Sequence, residues 1–308
     1  MNVLRTSGLS AVVCSRSLSK RYPVCLHPHD VNGSPSSNTL GVLVSDLWSE
    51  VVAKLKSWCK QTTTKINSHD LIYLEPKSAA LSTGISAVAS VLPGHYAAAD
   101  RIAGILRRLG KSAVADYVQT KLPQGAKARS GDLGEILATS YVTEFTSYGI
   151  GIYKLRWSDH REMAMRGDDI LGICIDPTVK VKFLKGEVKS RAALNKKTVD
   201  EARAALASNH GRPTPHALAF VADRLFETGE TALAEIIDEY QLKTRIKVKQ
   251  LSHLLFVFTG NNPSAILTTN LNAYSGRIPQ VAVGLRVSTH QAFIKQVFEK
   301  VIADGNNP

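Results

Sequence analysis

A chain of 308 residues, 44% hydrophobic and 21% charged, has the apolar material for one large domain or two modest ones. At that length it buries roughly 75% of its unfolded surface and needs no disulfide or metal staple to fold. No apolar run approaches the ~20 residues of a membrane span; the longest, residues 87–92, stops at Pro93-Gly94, and composition excludes collagen, coiled coil and wholesale disorder. The 38 Lys and Arg against 26 Asp and Glu leave a net charge of +12, which points to a polyanionic partner, nucleic acid or an acidic membrane face.

In chain order, residues 1–29 hold no acidic residue and set Arg5, Arg16, Lys20 and Arg21 among serines, a composition similar to a transit peptide. The reading preferred here is a short strand over residues 9–14 followed by a basic loop, and no secretory signal. Residues 32–38 (NGSPSSN) form a turn-rich loop. From Leu43 to Cys59 apolar residues recur at helical spacing, and residues 70–75 read as a strand. Residues 97–122 read as one broken or two short helices, interrupted at Gly110. The segment 123–130 (PQGAKARS) is a breaker and marks a boundary between a mixed α/β region over 1–124, a candidate for partner docking, and a second region over 125–308.

Beyond it, residues 132–145 predict a helix, and 148–157, 169–175 and 179–189 predict three strands, the last with a kink at Gly186. Helices follow at 199–208 and through 215–240, then strands at 254–258 and 280–287 and a closing helix at 289–302. Helix, three strands, helix, then further strands and helices specify an α/β architecture on a central mixed sheet. Cys14, Cys25, Cys59 and Cys174 lie far apart without a C-x-x-C, which predicts free thiols and a cytoplasmic location.

One cluster stands above the background. In a strand, Glu187 and Lys189 emerge on one face while Val188 packs the other way. A carboxylate beside an ammonium at a strand end suits metal-dependent phosphodiester hydrolysis: the carboxylate holds a hard cation, and the lysine orients or deprotonates water and neutralises charge. A hairpin closing at Asp176-Pro177 would bring Asp169 to the same end of the sheet as Glu187, with Asp168 as the alternative ligand. Glu135, in the preceding helix, supplies a third carboxylate; it could equally close a capping box with Asp132. Taken alone, Glu-x-Lys is weak, because alternate charges on a strand edge are usually solvated.

Together, Gly167-Asp168-Asp169-Ile170-Leu171 and Gly186-Glu187-Val188-Lys189-Ser190-Arg191 resemble the Asp and Glu-x-Lys motifs of the restriction-endonuclease-like PD-(D/E)xK superfamily, without its proline. Residues 131–137, 166–172, 183–191 and 281–299 resemble, more narrowly, the HamA nuclease family of the Hachiman anti-phage defence system. The resemblance covers mainly residues 125–303. It implies a restriction-endonuclease-like core over 125–308 and a DNA endonuclease of little sequence specificity. It also implies Mg²⁺, with Mn²⁺ as substitute, held by Asp169, Glu187 and Glu135, and Lys189 assisting the water. A superfamily 2 helicase subunit, HamB-like, and DNA are the implied partners, with no membrane. The rival reading is a catalytically inactive DNA-binding adaptor of that helicase.

Basic residues fit a nucleic-acid role: Lys127, Arg129, Arg191, Lys196, Lys197, and the alternating Lys243, Arg245, Lys247 and Lys249, which an extended segment would present on one face. Three lures fail. The segment from Gly104 to Ser112 has five residues between its glycines where a phosphate loop has four, and it follows a helical pattern. Cys14, Cys25, His27 and His29 fit no zinc finger. Neither H-E-x-x-H nor G-x-S-x-G occurs.

Overall fold

The computed structural model describes residues 51–163, 165, 167–176 and 179–306. The strand expected at 9–14, the loop at 32–38 and the start of the helix from Leu43 lie outside them. Seven strands form one mixed sheet in the order β1-β2-β7-β6-β5-β4-β3. They are β1 (Cys59–Ile66), β2 (His69–Pro76), β3 (Gly149–Ile150), β4 (Ile170–Asp176), β5 (Lys180–Arg191), β6 (Leu251–Thr259) and β7 (Gln280–Arg286). The inner four, β2, β7, β6 and β5, run parallel; β1 on one side and β4 on the other run against them, and β3 pairs antiparallel with β4. Strands from both sides of residue 124 therefore share this sheet.

The described helices are α1 (Leu55–Trp58), α2 (Leu81–Tyr96), α3 (Ala99–Lys121), α4 (Ala126–Phe145), α5 (Lys196–Ala207), α6 (Pro215–Glu227), α7 (Thr231–Asp238), α8 (Ser264–Ala273) and α9 (His290–Asn306). Strand alternation sorts them into two layers. Leu254, Phe256 and Phe258 of β6 turn to one face, against Leu133, Ile136 and Leu137 of α4 and Phe293, Val297 and Phe298 of α9. Leu255 and Val257 turn to the other, against Val199 and Leu206 of α5 and Leu267 and Leu271 of α8. On that second face Leu171, Ile173, Val181 and Phe183 form a separate cluster with α6 and α7. Burial on both faces is why β6 reads as a near-continuous apolar run.

Between the two clusters of the second face lies a buried polar row, Lys185, His253 and Gln280, at matched register on β5, β6 and β7. His253 donates from Nε2 to the Gly211 carbonyl at 2.8 Å and accepts at Nδ1 from Gln280 at 3.1 Å. The row is held from outside by Arg203 of α5, which also donates to Asn270.

Several expectations need correction. The helix expected through Cys59 ends at Trp58, and β1 begins at Cys59. The apolar run ends at Pro93-Gly94, but the helix that carries it, α2, continues through Pro93 to Tyr96. The expected strand at 148–157 is two residues long, followed by a 3-10 turn at Lys154–Trp157. Gly186 makes no kink: β5 is continuous, and Gly186 is there because a Cβ would lie 2.7 Å from the Cβ of Ile170. Helix α4 starts at Ala126, so Asp132 is an interior residue and no N-cap. The segment 243–249 joins no strand: it leaves a π turn at Lys243, has extended backbone at Thr244 and Lys247, and enters a 3-10 turn at Val248. Cys59 is a free buried thiol. Gly110, with φ of 82°, does break α3 as its sequence suggests.

Candidate functional site

Strand β5 carries the first two residues. Val188 is buried in the core shared with α4, while Glu187 and Lys189 are half-buried on the opposite alternation. Lys189 Nζ donates to Glu187 Oε1 at 2.7 Å. Antiparallel pairing with β4 matches Ile170 to Gly186, so one further step sets Asp169 across from Glu187. Asp169 Oδ2 accepts from the Val188 N–H at 2.8 Å and so takes over a ladder hydrogen bond where β4 has not yet begun.

Its neighbour Asp168 is engaged elsewhere. Asp168 is 7% exposed; Oδ2 accepts from the Thr214 N–H at 2.7 Å, and Oδ1 lies 3.5 Å from Lys185 Nζ. Lys185, 1% exposed, donates further to Ser208 Oγ and to the carbonyls of Ser208 and Arg212. A buried charge is tolerable only when paired and hydrogen-bonded in this way. Gly167, with φ of 95°, turns the chain into the aspartates against Ala217 of α6.

Helix α4 brings Glu135. A Cβ on Gly134 would stand 3.2 Å from both Val188 Cγ1 and Ser190 Cβ, so the helix lies against β5 at this glycine. The contact is reinforced by Ser130 to Ser190 at 2.8 Å and by Ser190 to His290 Nε2 at 3.0 Å. Burial pushes the Glu135 carboxyl up to about 8; Lys154 opposes the rise, and Asp169, Asp132 and Glu187 add to it. Asp169 is raised by burial against the pull of Lys154, the Val188 N–H and Lys189. Glu187 is raised by burial and then by Asp169, against Lys189. The three carboxyls thus feel one another: the fold brings Glu135, Asp169, Glu187 and Lys189 into one electrostatic cluster.

Lys154 is the member that the sequence did not disclose. It sits in the 3-10 turn after β3, donates to the Asp168 carbonyl at 2.8 Å, and is the foremost positive influence on both Glu135 and Asp169. A lone lysine in KLRW has no periodicity or motif to mark it. A cavity of about 30 Å³, lined among others by Glu135, Lys154, Asp168, Asp169 and His95, has room for about two waters. Glu187 and Lys189 do not line it.

Oxygen donors of this kind suit a hard divalent cation. Among the described residues, however, no three His, Cys, Asp or Glu side chains converge as a formed metal centre does. Lys189 holds Glu187, and the Val188 amide holds Asp169. Several basic residues singled out for nucleic acid are also engaged: Arg129 donates to the Pro123 carbonyl and stacks over Phe298 at 5.0 Å, and Lys196 pairs with Asp200.

Fold and site together define an α/β protein with a carboxylate–lysine cluster at one end of a mixed sheet. A sequence profile of the HamA family matches residues 53–301, and the chain belongs to that family. It is 29% identical over 232 residues to the Hachiman protein HamA of Bacillus cereus, an alignment covering 74% of this chain and 82% of that relative.

Proposed function

We propose that this chain is a metal-dependent DNA endonuclease, the effector of a Hachiman-type anti-phage defence complex with a helicase subunit. The observation that carries the reading is Asp169 set across from Glu187, with Lys189 2.7 Å from the Glu187 carboxylate. The order α4, β3, β4, β5, α5, β6 supports a restriction-endonuclease-like core, and the net charge of +12 supports a polyanionic substrate.

Asp169 and Glu187 would hold Mg²⁺ or Mn²⁺, and Glu135 would complete the set. The ion would supply Lewis-acid stabilisation of the phosphoryl oxygens and a water of lowered pKa. The residues of the chain divide the remaining tasks. The Val188 amide fixes the Asp169 carboxylate. Lys189, braced on Glu187, offers a charge to the phosphate as negative charge builds on it. Lys154 opposes the rise that burial imposes on Asp169 and Glu135 and so favours their charged forms without overcoming it.

The purified chain, alone and with its helicase partner, is tested on plasmid DNA with Mg²⁺ or Mn²⁺. Cleavage is expected, and Glu187→Ala and Lys189→Ala each abolish it without lowering the melting temperature. Wild-type rates in the double variant would sink the site. One observation favours the rival adaptor reading: the carboxylates meet lysines and an amide and do not converge on one point. DNA binding without cleavage under every divalent cation would establish it.

A further inference from the structure

We infer that the loop carrying Lys243, Arg245, Lys247 and Lys249, with Arg212 beside it, is the rim that receives the phosphate backbone of duplex DNA. The inference rests on the nuclease reading for the orientation of the duplex, and it adds the surface that binds it.

All four cations are exposed, while Ile246 between them is buried at 3% exposure. None of the four enters an ion pair among the described residues. The loop is held at several points. Gln250 donates to the Val179 and Val181 carbonyls and accepts from the Lys247 N–H, Tyr240 donates to the Val179 carbonyl, and Arg212 Nε donates to the Ile246 carbonyl at 2.9 Å. A fixed row of unpaired cations loses less freedom on meeting phosphates than a mobile one.

The charge is one-sided on its C-terminal side; Asp238 and Glu239 precede the loop, Glu239 paired with Lys180. From Tyr240 to Phe298 the chain contains no Asp or Glu at all. Nothing in this stretch repels a polyanion. Three of the four cations are lysines, which are depleted at the cores of protein interfaces but are ordinary phosphate contacts.

The rim also lies at a useful distance. Leu251, two residues after Lys249, pairs with Phe183, and Leu255 pairs with Glu187. Four strand residues span about 13 Å, or roughly four base-pair steps at 3.4 Å each. Arg212 bridges the interval: its side chain holds the loop, and its carbonyl accepts from Lys185, which shares the alternation of Glu187. A duplex resting on the rim can therefore present a phosphate to the Glu187–Lys189 pair a few steps further along.

The test uses the full chain with Lys243→Gln, Arg245→Gln, Lys247→Gln and Lys249→Gln combined, and a labelled 30-base-pair duplex in EDTA, so that binding is read without cleavage. Anisotropy titrations at several salt concentrations give the slope of log K against log salt. Four lost phosphate contacts make the slope shallower by about 3.6, and affinity at low salt falls at least tenfold. A control variant, Lys60→Gln, Lys65→Gln, Lys295→Gln and Lys300→Gln, removes the same charge elsewhere and keeps the wild-type slope. Equal changes in both variants, or none in the first with its melting temperature preserved, would overturn the rim. So would loss of binding to the helicase partner with DNA binding intact, which would make the loop a protein-docking surface. A wild-type chain that never cuts, but whose slope drops as expected in the first variant, sinks the nuclease reading and supports the rim.

Discussion

Asp168 and Asp169 are neighbours of identical chemistry, yet the start of β4 sends one carboxylate to Lys185 and Thr214 and the other to the Val188 amide. Their substitutions should differ in kind. Asp168→Asn leaves the buried Lys185 ammonium without its carboxylate and costs about 3 kcal/mol in urea unfolding. In Asp169→Asn the loss of a charge already disfavoured by burial is neutral or stabilising without metal. The wild-type melting temperature should rise on adding Mg²⁺, because a ligand of the native state stabilises it, and in Asp169→Asn it should stay put. A Mg²⁺ response kept by Asp169→Asn and lost by a folded Asp168→Asn would exchange the two roles. Lys154→Met removes the foremost positive neighbour of Glu135 and Asp169 and the partner of the Asp168 carbonyl, and should cost about 2 kcal/mol in EDTA. An unchanged unfolding midpoint would show that Lys154 is a bystander.

Among the elements, α4 and β5 set the site through Gly134. Gly134→Val forces the helix off Val188 and Ser190, and an overpacked contact of this kind costs 1–3 kcal/mol. Because Glu135 rides on the same turn, activity should fall more than stability does; a fully active, destabilised variant would detach Glu135 from the chemistry. The elements legible beforehand are those that bury one clear face, such as α4 with Leu133, Ile136 and Leu137, or β4 and β5 with their apolar runs. Strand β1 escaped because Lys60 to Lys65 is polar and exposed on both faces, so no alternation shows. Strand β6 starts three residues earlier than its apolar run because Ser252 and His253 belong to it, His253 in the buried polar row. Helix α8 buries only Leu267 and Leu271, too few for a stripe. Within the site, Glu187 and Lys189 could be read from a period of two. Asp169 needed the hairpin, and Lys154 needed the whole fold.

For the molecule as a whole, the packing of α2 against the site shows in its response to acid. His95 donates from Nε2 to the Val51 carbonyl at 3.0 Å, is 2% exposed, and is held by burial down to about 3. Below pH 6.5 the unfolded chain therefore binds a proton that the folded one refuses. Stability attributable to His95 should fall as pH drops from 6.5 toward 3, by about 1.4 kcal/mol per unit. The difference in unfolding free energy between wild type and His95→Gln, followed from pH 7 to 4, isolates this contribution from the carboxylates. A difference independent of pH would mean that His95 is protonated in place.

The ladder between β2 and β7 joins Asp70 to Val281, one partner near the start of the described chain and the other near its end. Closing a loop of that length costs on the order of 5 kcal/mol in chain entropy before any pairing repays it. A ribosome adding 5–20 residues per second needs roughly 10–40 s to pass from β2 to β7. Throughout that interval the β1–β2 hairpin exists without the strand that anchors it to the sheet. The nascent chain therefore finishes its middle strands first and admits its first hairpin last. Chains halted before Gln280 should keep the hairpin open to protease, and completion of β7 is the event that seals it.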